Sequence, residues 1–351
     1  GLTSINIPNS VTWIEKNAFD ACEALTSINV AKGSADYKSI DGVLYDKKRT
    51  RIIKCPGGKT SIKIPNTVTS IEYEAFAGCS GLTNINIPNS VTTIEDLAFE
   101  GCTGLTNINI PNSVTEIEDY AFEGCTGLTN INIPNSVTWI GGNAFKGCTG
   151  LTNINIPNSV RQIGWGAFKG CTGLTNINIP NSVTEIKDYA FEDCTGLTNV
   201  ILSDSLTYIG KAAFRGCTGL KDISVPNSVK SIGKEAFLGC TGLTSITIPN
   251  SVTSIERYVF KGCTGLKSIT IPNSVRIIED YAFKGCTGLN SIVCKSKNPP
   301  NSGSEDTDFI YIINAPPTTT IYVPKESIDA YKTAYGWKTM NIKAIESLNK
   351  K

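Results

Sequence analysis

Apolar residues recur along this chain with a period of 23 residues. The repeated unit reads G-L-T-x-I-x-I-P-N-S-V-x-x-I-x-x-x-A-F-x-G-C-T, and it is complete in residues 1–23 and in ten consecutive copies over residues 58–287. A period this short accommodates one supersecondary unit, which cannot bury its apolar side alone and must stack on its neighbours. The pattern therefore predicts a repeat solenoid of about 12 coils.

Within one unit, the alternation of apolar and polar residues predicts two short inward-facing edges. In the copy at residues 104–126, Ile108 lies between two asparagines in a strand, which Pro111 should end because proline has no N–H to donate. After a Pro-Asn-Ser turn, Ile117 supplies the second inward edge. A tight turn or a short 3-10 segment around Phe122 then closes the coil.

Two segments depart from the repeat and set the predicted boundaries. Residues 31–57 contain strand-like runs separated by Asp-Gly, and they predict a β-hairpin insertion that projects from a solenoid spanning residues 1–294. Residues 295–351 predict a C-terminal cap with a final strand in "TTTIYVP" and a short amphipathic helix in "ESIDAYKTAYGW". Three residues of this helix fall on one apolar face: Ile328, Tyr331 and Tyr335.

The composition fits a folded protein and narrows the function. The chain is 40% hydrophobic and 18% charged, and its net charge of +1 lacks the basic excess of a nucleic-acid binder. No apolar run approaches the length that spans a membrane. The chain starts inside a repeat and its only methionine is Met340, so we expect an upstream region in a longer protein.

The residue types that usually carry catalysis are either missing or repeated. The sequence contains no histidine, which removes the commonest general base and the commonest metal ligand. Its 13 cysteines include no C-x-x-C pair, and stacked coils hold equivalent Cβ atoms farther apart than a disulfide requires. We therefore expect buried, unpaired thiols, with Cys55 the most exposed of them. We expect no enzyme, no metal site and no cofactor.

The units resemble the BspA-type leucine-rich repeats of bacterial surface proteins. The likeness rests on L-x-x-I-x-I at each strand, on "IPNSVTxIxxxAFxGC" in nearly every unit, on the insertion "YKSIDGVLYDKKRTRIIKCP" and on the tail "IYVPKESIDAYKTAYGW". It implies the leucine-rich repeat fold, a right-handed β/α-type superhelix of short strands with turn or 3-10 segments. It also implies a secreted or cell-surface protein of anaerobic bacteria or certain protists, with an adhesin-like role in binding other proteins or host surfaces.

The positions that vary between copies contain candidate binding residues. Large aromatic side chains stand at several of them, and such side chains are typical anchors of protein interfaces. The candidate partner-binding aromatics are Trp139, Trp165, Tyr120 and Tyr189. Packing of these rings against the adjacent coil is the alternative explanation.

The outer side of the strands is a second candidate surface. The candidate residues are Asn107, Asn109, Asn130 and Asn132. With their equivalents in other copies they predict an uncharged amide and hydroxyl face. That face is either a platform for a glycan or polar peptide, or a plain solvated sheet.

Charge is distributed unevenly along the chain. Residues 81–126 contain seven acidic and no basic residues, whereas residues 196–300 contain twelve basic and six acidic residues, a net charge of +6. This polarity either orients a partner by long-range attraction or reflects drift of surface residues. The acidic pairs at residues 95–96 and 118–119 form a charged edge or, as the alternative, supply calcium ligands.

These features predict a non-enzymatic, protein-binding solenoid that is secreted or displayed at a cell surface. Its expected partner is a host or bacterial surface protein, and nucleic acid is not expected to bind. A structural spacer that presents another domain is one alternative, and a glycan-binding module is another.

Overall fold

The computed structural model of this chain describes residues 1–20, 22, 24–302 and 315–350. The chain divides into two compact units, Gly1–Leu174 and Thr175–Lys351, hereafter unit 1 and unit 2. Both are β-solenoids, which confirms the predicted fold class, and together they contain about 14 coils of about 23 residues. The coils beyond the predicted number arise in the insertion and near the C-terminus.

Unit 1 is built from short strands that recur in successive coils. The strands are β1 (Ser4–Ile7), β2 (Ser27–Val30), β3 (Tyr37–Ile40), β4 (Val43–Asp46), β5 (Arg51–Lys54), β6 (Ser70–Ile71), β7 (Asn84–Asn86), β8 (Thr93–Ile94), β9 (Asn107–Asn109), β10 (Glu116–Ile117), β11 (Asn130–Asn132), β12 (Trp139–Ile140) and β13 (Gln162–Ile163). Equivalent strands pair in parallel with an offset of one repeat, as Asn84, Asn107 and Asn130 do in β7, β9 and β11. The two-residue strands β10, β12 and β13 pair in the same way. Two parallel sheets therefore line two sides of each regular coil.

Hydrogen-bonded turns close the third side of the coil. In the coil at residues 104–126, Tyr120 has a φ of 58° and Gly124 a φ of 69°. Glycine adopts this left-handed region freely, whereas a residue with a side chain loses about 1–2 kcal/mol there. The N–H of Tyr120 donates to the carbonyl of Gly142 at 2.8 Å, and that of Gly124 donates to the carbonyl of Lys146 at 2.7 Å. The turn side is therefore also bonded from coil to coil.

The interior of each unit contains a ladder of stacked phenylalanine rings. In unit 1, ring centroids lie 5.3 Å apart between Phe99 and Phe122 and 5.5 Å apart between Phe122 and Phe145, with nearly parallel planes. A similar ladder runs through unit 2 from Phe191 to Phe283, with separations of 5.4–5.8 Å. Such aromatic pairs contribute about 0.5–1.5 kcal/mol beyond the area they bury. Because each coil contributes one ring, the separation of the rings follows the spacing of the coils.

The cysteine column lies in the same interior. All 13 cysteines lie among the described residues, where none forms a disulfide and only Cys22 is not buried, which confirms the predicted core thiols. The thiol of Cys148 donates to the carbonyl of Phe122 in the preceding coil, at 3.1 Å. Burial raises the pKa of Cys148 to about 12. Such a thiol stays protonated and unreactive at neutral pH.

The insertion belongs to the stack and does not project from it, so that prediction is wrong. β3 and β4 form the expected antiparallel hairpin, but β4 is buried along its whole length, and the carbonyl of Gly42 accepts the N–H of Ile28 at 2.8 Å. β5 returns antiparallel to β4 and then pairs in parallel with β6, a second-side strand of the next coil. β2 and β5 thus supply the two sides of one extra coil.

Cys55 directly follows β5 and is fully buried. The expectation that Cys55 is the most exposed thiol is therefore wrong, and Cys22 of the first coil is the half-buried one. The physical reason is the place of β5 in the stack, which brings the next residue into the core.

Unit 2 repeats the regular coil and adds the C-terminal segment. Its strands are β14 (Asn176–Asn178), β15 (Glu185–Ile186), β16 (Asn199–Ile201), β17 (Tyr208–Ile209), β18 (Asp222–Ser224), β19 (Ser231–Ile232), β20 (Ser245–Thr247), β21 (Ser254–Ile255), β22 (Ser268–Ile271), β23 (Ile277–Ile278), β24 (Ser291–Cys294), β25 (Asn301–Ser302), β26 (Thr320–Val323) and β27 (Asn341–Ala344). Strands β18, β20, β22, β24, β26 and β27 form one sheet in that order. The predicted final strand is β26, but β27 follows it and pairs with it in parallel.

The helix of the C-terminal segment is shorter than the sequence predicts. It is α1 (Ile328–Thr333), and Ala334 after it has an extended backbone. Tyr331 is buried and packs against Trp337, with ring centroids 4.9 Å apart and planes at 86°. Tyr335 is 47% exposed, so its predicted place on the apolar face is wrong. Trp337 takes that place because the chain leaves the helix before residue 335.

Two 3-10 helices, Lys325–Ser327 and Ile345–Lys350, complete the described part of this segment. Residues 303–314 and 351 of the predicted cap lie outside the described residues. In the part of the chain that the structure describes, no helix has both the length and the apolar character needed to cross a membrane.

Candidate functional site

The four candidate asparagines lie on the outer side of the sheet β7–β9–β11. All are exposed: Asn107, Asn109, Asn130 and Asn132. They stand in register in two columns, Asn107 beside Asn130 and Asn109 beside Asn132. The adjacent threonine column is bonded between coils, since Thr129 Oγ1 donates to the carbonyl of Thr106 at 3.1 Å. The side-chain amides of the four asparagines, in contrast, make no hydrogen bond to any residue that the structure describes.

Trp139 lies on a different side of the coil from the asparagines. It belongs to β12, where its in-register neighbours are Glu116 of β10 and Gln162 of β13. Its side chain is half-buried. Over the described residues, no ring contact joins Trp139 to Trp165, so the structure does not bring these two candidates together.

Tyr120 and Trp165 meet on the turn side of unit 1, although two repeats separate them in sequence. Their ring centroids are 5.9 Å apart and their planes lie at 81°, an edge-to-face contact. Gly142 lies in the coil between them, and an ideal Cβ at this residue would be 2.6 Å from Trp165 Nε1. Glycine is therefore needed here for the indole to lie against the backbone. Trp165 remains 50% exposed, so part of its surface is open to a partner.

Asn143 lies beside this ring pair and is only 2% exposed. Its N–H donates to the carbonyl of Trp165 at 2.8 Å, but its side-chain Oδ1 has no hydrogen-bond partner among the described residues. An ideal Cβ at Gly166 would lie 2.3 Å from this oxygen, so the acceptor borders the space that glycine leaves free. We call Tyr120, Gly142, Asn143, Trp165 and Gly166 the aromatic site. It combines a fixed, exposed indole with a buried acceptor that has no hydrogen-bond partner among the described residues.

The sequence identified the two rings of the aromatic site but not the three residues between them. The signal is a break in the repeat: residues 140–145 read I-G-G-N-A-F and residues 163–168 read I-G-W-G-A-F, where residues 117–122 read I-E-D-Y-A-F. Gly141 and Gly142 in one coil, and Gly164 and Gly166 in the next, replace residues that carry side chains at the equivalent positions 118–120. That loss creates room for one large side chain to cross from coil to coil.

Tyr189 is a separate candidate, because it lies in unit 2. It occupies the same position of the repeat as Tyr120, with a φ of 60°. Its ring is covered by a cation, since Lys211 Nζ lies 5.4 Å from the ring centroid. Tyr189 therefore differs from Tyr120 in its neighbour, a lysine in place of an indole.

The repeats of this chain match a known protein family. The family described as "BspA type Leucine rich repeat region (6 copies)" matches residues 1–56, 54–174, 138–265 and 208–302. The chain belongs to the BspA-type leucine-rich repeat family.

Solved structures of bacterial leucine-rich repeat proteins share the fold of this BspA-type chain. A leucine rich cell surface protein from Faecalibacterium prausnitzii is 33% identical, with a TM-score of 0.51, and the match covers 87% of this chain and 80% of that one. A leucine-rich repeat protein from Bacteroides ovatus is 27% identical, with a TM-score of 0.51, over 88% of this chain and 97% of that one. No curated protein matches the chain.

The acidic stretch of the BspA-type repeats forms a ladder on the turn side of unit 1. Asp96 Oδ1 accepts the N–H of Asp119 at 3.1 Å, and Asp119 Oδ1 accepts the N–H of Gly142 at 2.5 Å. Each aspartate thus bonds to the backbone of the next coil. Within the described ranges, no group of three or more His, Cys, Asp or Glu residues could hold a metal ion. Coil-to-coil bonding gives these two carboxylates a structural role.

Glu118 stands among these carboxylates. Burial raises its pKa from 4.5 to about 7, and the charges of Glu116, Asp96 and Asp119 add to the rise. The folded chain therefore binds more protons than the unfolded chain between these two pH values. The contribution of Glu118 to the free energy of unfolding is accordingly largest below pH 4.5 and is lost as the pH rises through about 7.

We expect the substitution Glu118→Gln to remove part of this pH dependence, because the amide does not ionise. Urea denaturation of wild type and variant at a series of pH values measures the effect. Glu256→Gln is the matched control, since Glu256 occupies the equivalent position of unit 2 and Arg257 follows it where Asp119 follows Glu118. A profile that Glu118→Gln leaves unchanged, or that Glu256→Gln flattens equally, would contradict the assignment.

Proposed function

We propose that this chain is a non-enzymatic, protein-binding solenoid of a bacterial surface and that the aromatic site of unit 1 contacts its partner. The observation that carries the proposal is the state of Trp165, which is 50% exposed and yet held by the ring of Tyr120 at 5.9 Å. A ring that is fixed before binding loses little conformational entropy when the complex forms. Exposed tryptophan and tyrosine are also enriched among the residues that dominate binding energy.

Family membership supports a secreted or cell-surface location and an adhesin-like role. The Faecalibacterium prausnitzii relative is a cell surface protein, and it is similar to this chain over most of both lengths. We propose a protein of the host or of a neighbouring bacterial surface as the partner. The lack of histidine and the burial of the thiols support binding over catalysis.

Binding to a panel of purified extracellular-matrix and cell-surface proteins tests the proposal. We expect saturable binding to at least one of them. Trp165→Ala should then raise Kd by roughly thirtyfold, the equivalent of the loss of about 2 kcal/mol that defines an interface hot spot. Surface plasmon resonance with the immobilised full chain measures both quantities.

Trp13→Ala is the matched control, because Trp13 is 70% exposed but lies in the first coil, outside the aromatic site. It should leave Kd unchanged. The double variant Asn109→Ala/Asn132→Ala examines the second candidate surface, whose amides make no internal hydrogen bond in the described chain. If the double variant loses binding while Trp165→Ala still binds as the wild type does, the binding site lies on the strands. That result would favour a platform for a glycan or polar peptide. The absence of any saturable partner would favour the spacer function.

A further inference from the structure

The turn side of unit 2 carries basic residues at the pitch of the coils. Lys234 and Arg257 occupy equivalent positions of successive repeats, and Lys261 and Lys284 occupy a second pair of equivalent positions. Equivalent residues of stacked coils lie about 4.8 Å apart, the spacing of neighbouring strands. All four side chains are exposed or half-buried. We call these four residues the basic edge.

Two stacked tyrosines hold three of these cations in place. The rings of Tyr258 and Tyr281 lie 5.4 Å apart with an angle of 11° between their planes. Lys261 Nζ is 5.0 Å from the centroid of Tyr258, and Lys284 Nζ is 4.8 Å from that of Tyr281. The guanidinium of Arg257 is 5.1 Å from the centroid of Tyr258. Cations restrained in this way lose less freedom when a ligand binds.

Only one residue of the basic edge forms an ion pair within the described part of unit 2. Asp280 lies 4.0 Å from Arg257, at the limit of an ion pair. Lys234, Lys261 and Lys284 form no ion pair with any residue in the described part of unit 2. The ammonium groups of these three lysines therefore lie at successive coils without an ion-pair partner, while Glu235, Glu256 and Glu279 belong to the same turns.

We propose that the basic edge binds a linear anionic polysaccharide that runs along the stack, with sulfate or carboxylate groups paired to Lys261 and Lys284 of successive coils. A polymer with regularly spaced anionic groups matches regularly spaced cations, whereas the acidic surface of a folded protein has no such period. The net charge of the whole chain is only +1, so the attraction is local to this edge. The site lies in unit 2 and depends on charge, so it is independent of the aromatic site.

Binding of the full chain to dextran sulfate and to polygalacturonate tests the proposal, with uncharged dextran as the reference. The first polymer carries sulfate groups and the second carries carboxylates. The variant Lys234→Gln/Lys261→Gln/Lys284→Gln removes three charges from the edge. An exposed ion pair changes affinity by up to about fivefold, so we expect Kd to rise about tenfold or more. Added salt should weaken binding of the wild type far more than that of the variant.

The matched control Lys221→Gln/Lys267→Gln/Lys295→Gln removes the same charge from residues that flank strands β18, β22 and β24. It should keep Kd within about twofold of the wild type, and thermal unfolding checks that both variants fold. Binding to either charged polymer supports the proposal, and the difference between them identifies the preferred anion. Equal weakening by the two triple variants would overturn it, as would equal binding of uncharged dextran. Poly-glutamate is included as an acidic peptide. Binding to poly-glutamate and to neither charged polysaccharide would also overturn the proposal, because an acidic peptide would then be the ligand.

Discussion

Replacing Phe122 with alanine is expected to lower the free energy of unfolding by about 3–5 kcal/mol. The ring is fully buried between those of Phe99 and Phe145, whose centroids lie 5.3 and 5.5 Å away. The substitution removes two ring contacts and opens a cavity. The cavity cannot collapse easily, because the N–H of Phe122 donates to the carbonyl of Ala144 at 2.8 Å and holds the coils at their pitch. Urea denaturation followed by circular dichroism measures the loss.

Phe19 is the matched control, since it occupies the same position of the repeat in the first coil. It is 8% exposed, and no stacked ring contacts it among the described residues. Phe19→Ala should therefore cost clearly less than Phe122→Ala, because it loses apolar burial but no ring contact. Equal losses for the two variants would show that burial alone, and not the ladder, stabilises this core. A loss below about 1 kcal/mol for Phe122→Ala would contradict the cavity argument itself.

The sequence predicts which residues form this core, but not how they pack. Phe122 and Cys125 recur with the period of 23 residues, which identifies them as inward-facing whatever the geometry of the coil. The ring ladder and the thiol–carbonyl bonds depend on the separation and register of adjacent coils. Those quantities are set by backbone pairing between residues a whole repeat apart, which no local pattern encodes.

The errors fall where the repeat is interrupted. The insertion contains a hairpin pattern around Asp41-Gly42, and this local signal is correct. Whether the hairpin projects depends on β5, which pairs with β6 of the next coil although the sequence of β5 lacks the consensus. The sequence does not predict β27 either, because "NIKA" has neither the leucine nor the proline that marks a repeat strand.

The aromatic site shows a similar limit. Each ring is recognisable as a variable, outward position, but their contact requires Trp165 to cross a coil in which Gly142 has no side chain. The burial of Asn143 follows from the same crossing. The sequence of a single repeat does not reveal this crossing of Trp165. Aligned repeats do indicate it, because they show glycines at neighbouring positions of two adjacent coils. Comparison between repeats therefore holds more information about the site than the consensus does.

Replacing Gly127 with alanine is expected to cost about 3 kcal/mol or more, at or above the usual range for overpacking. An ideal Cβ at this residue would lie 2.3 Å from the carbonyl oxygen of Thr103 in the preceding coil. Non-bonded atoms do not approach this closely, so the chain leading into β11 would have to move away from β9. The hydrogen bond from the N–H of Thr129 to the carbonyl of Thr106, now 3.1 Å long, would lengthen or break. Urea denaturation measures the loss, as for Phe122→Ala.

Gly81→Ala separates the steric effect from the conformational one. Gly81 occupies the same position two coils earlier, and the atom nearest to its ideal Cβ is Thr60 Cγ2 at 3.2 Å, a side-chain methyl group that can move. Neither glycine has a left-handed φ, so alanine at both should be free of backbone strain there. Gly81→Ala should change the free energy of unfolding by less than about 1 kcal/mol, because the lower entropy of the unfolded alanine chain offsets a small displacement. Similar losses for both variants would mean that the backbone requires glycine; a loss confined to Gly127→Ala would mean that this glycine lets adjacent coils approach.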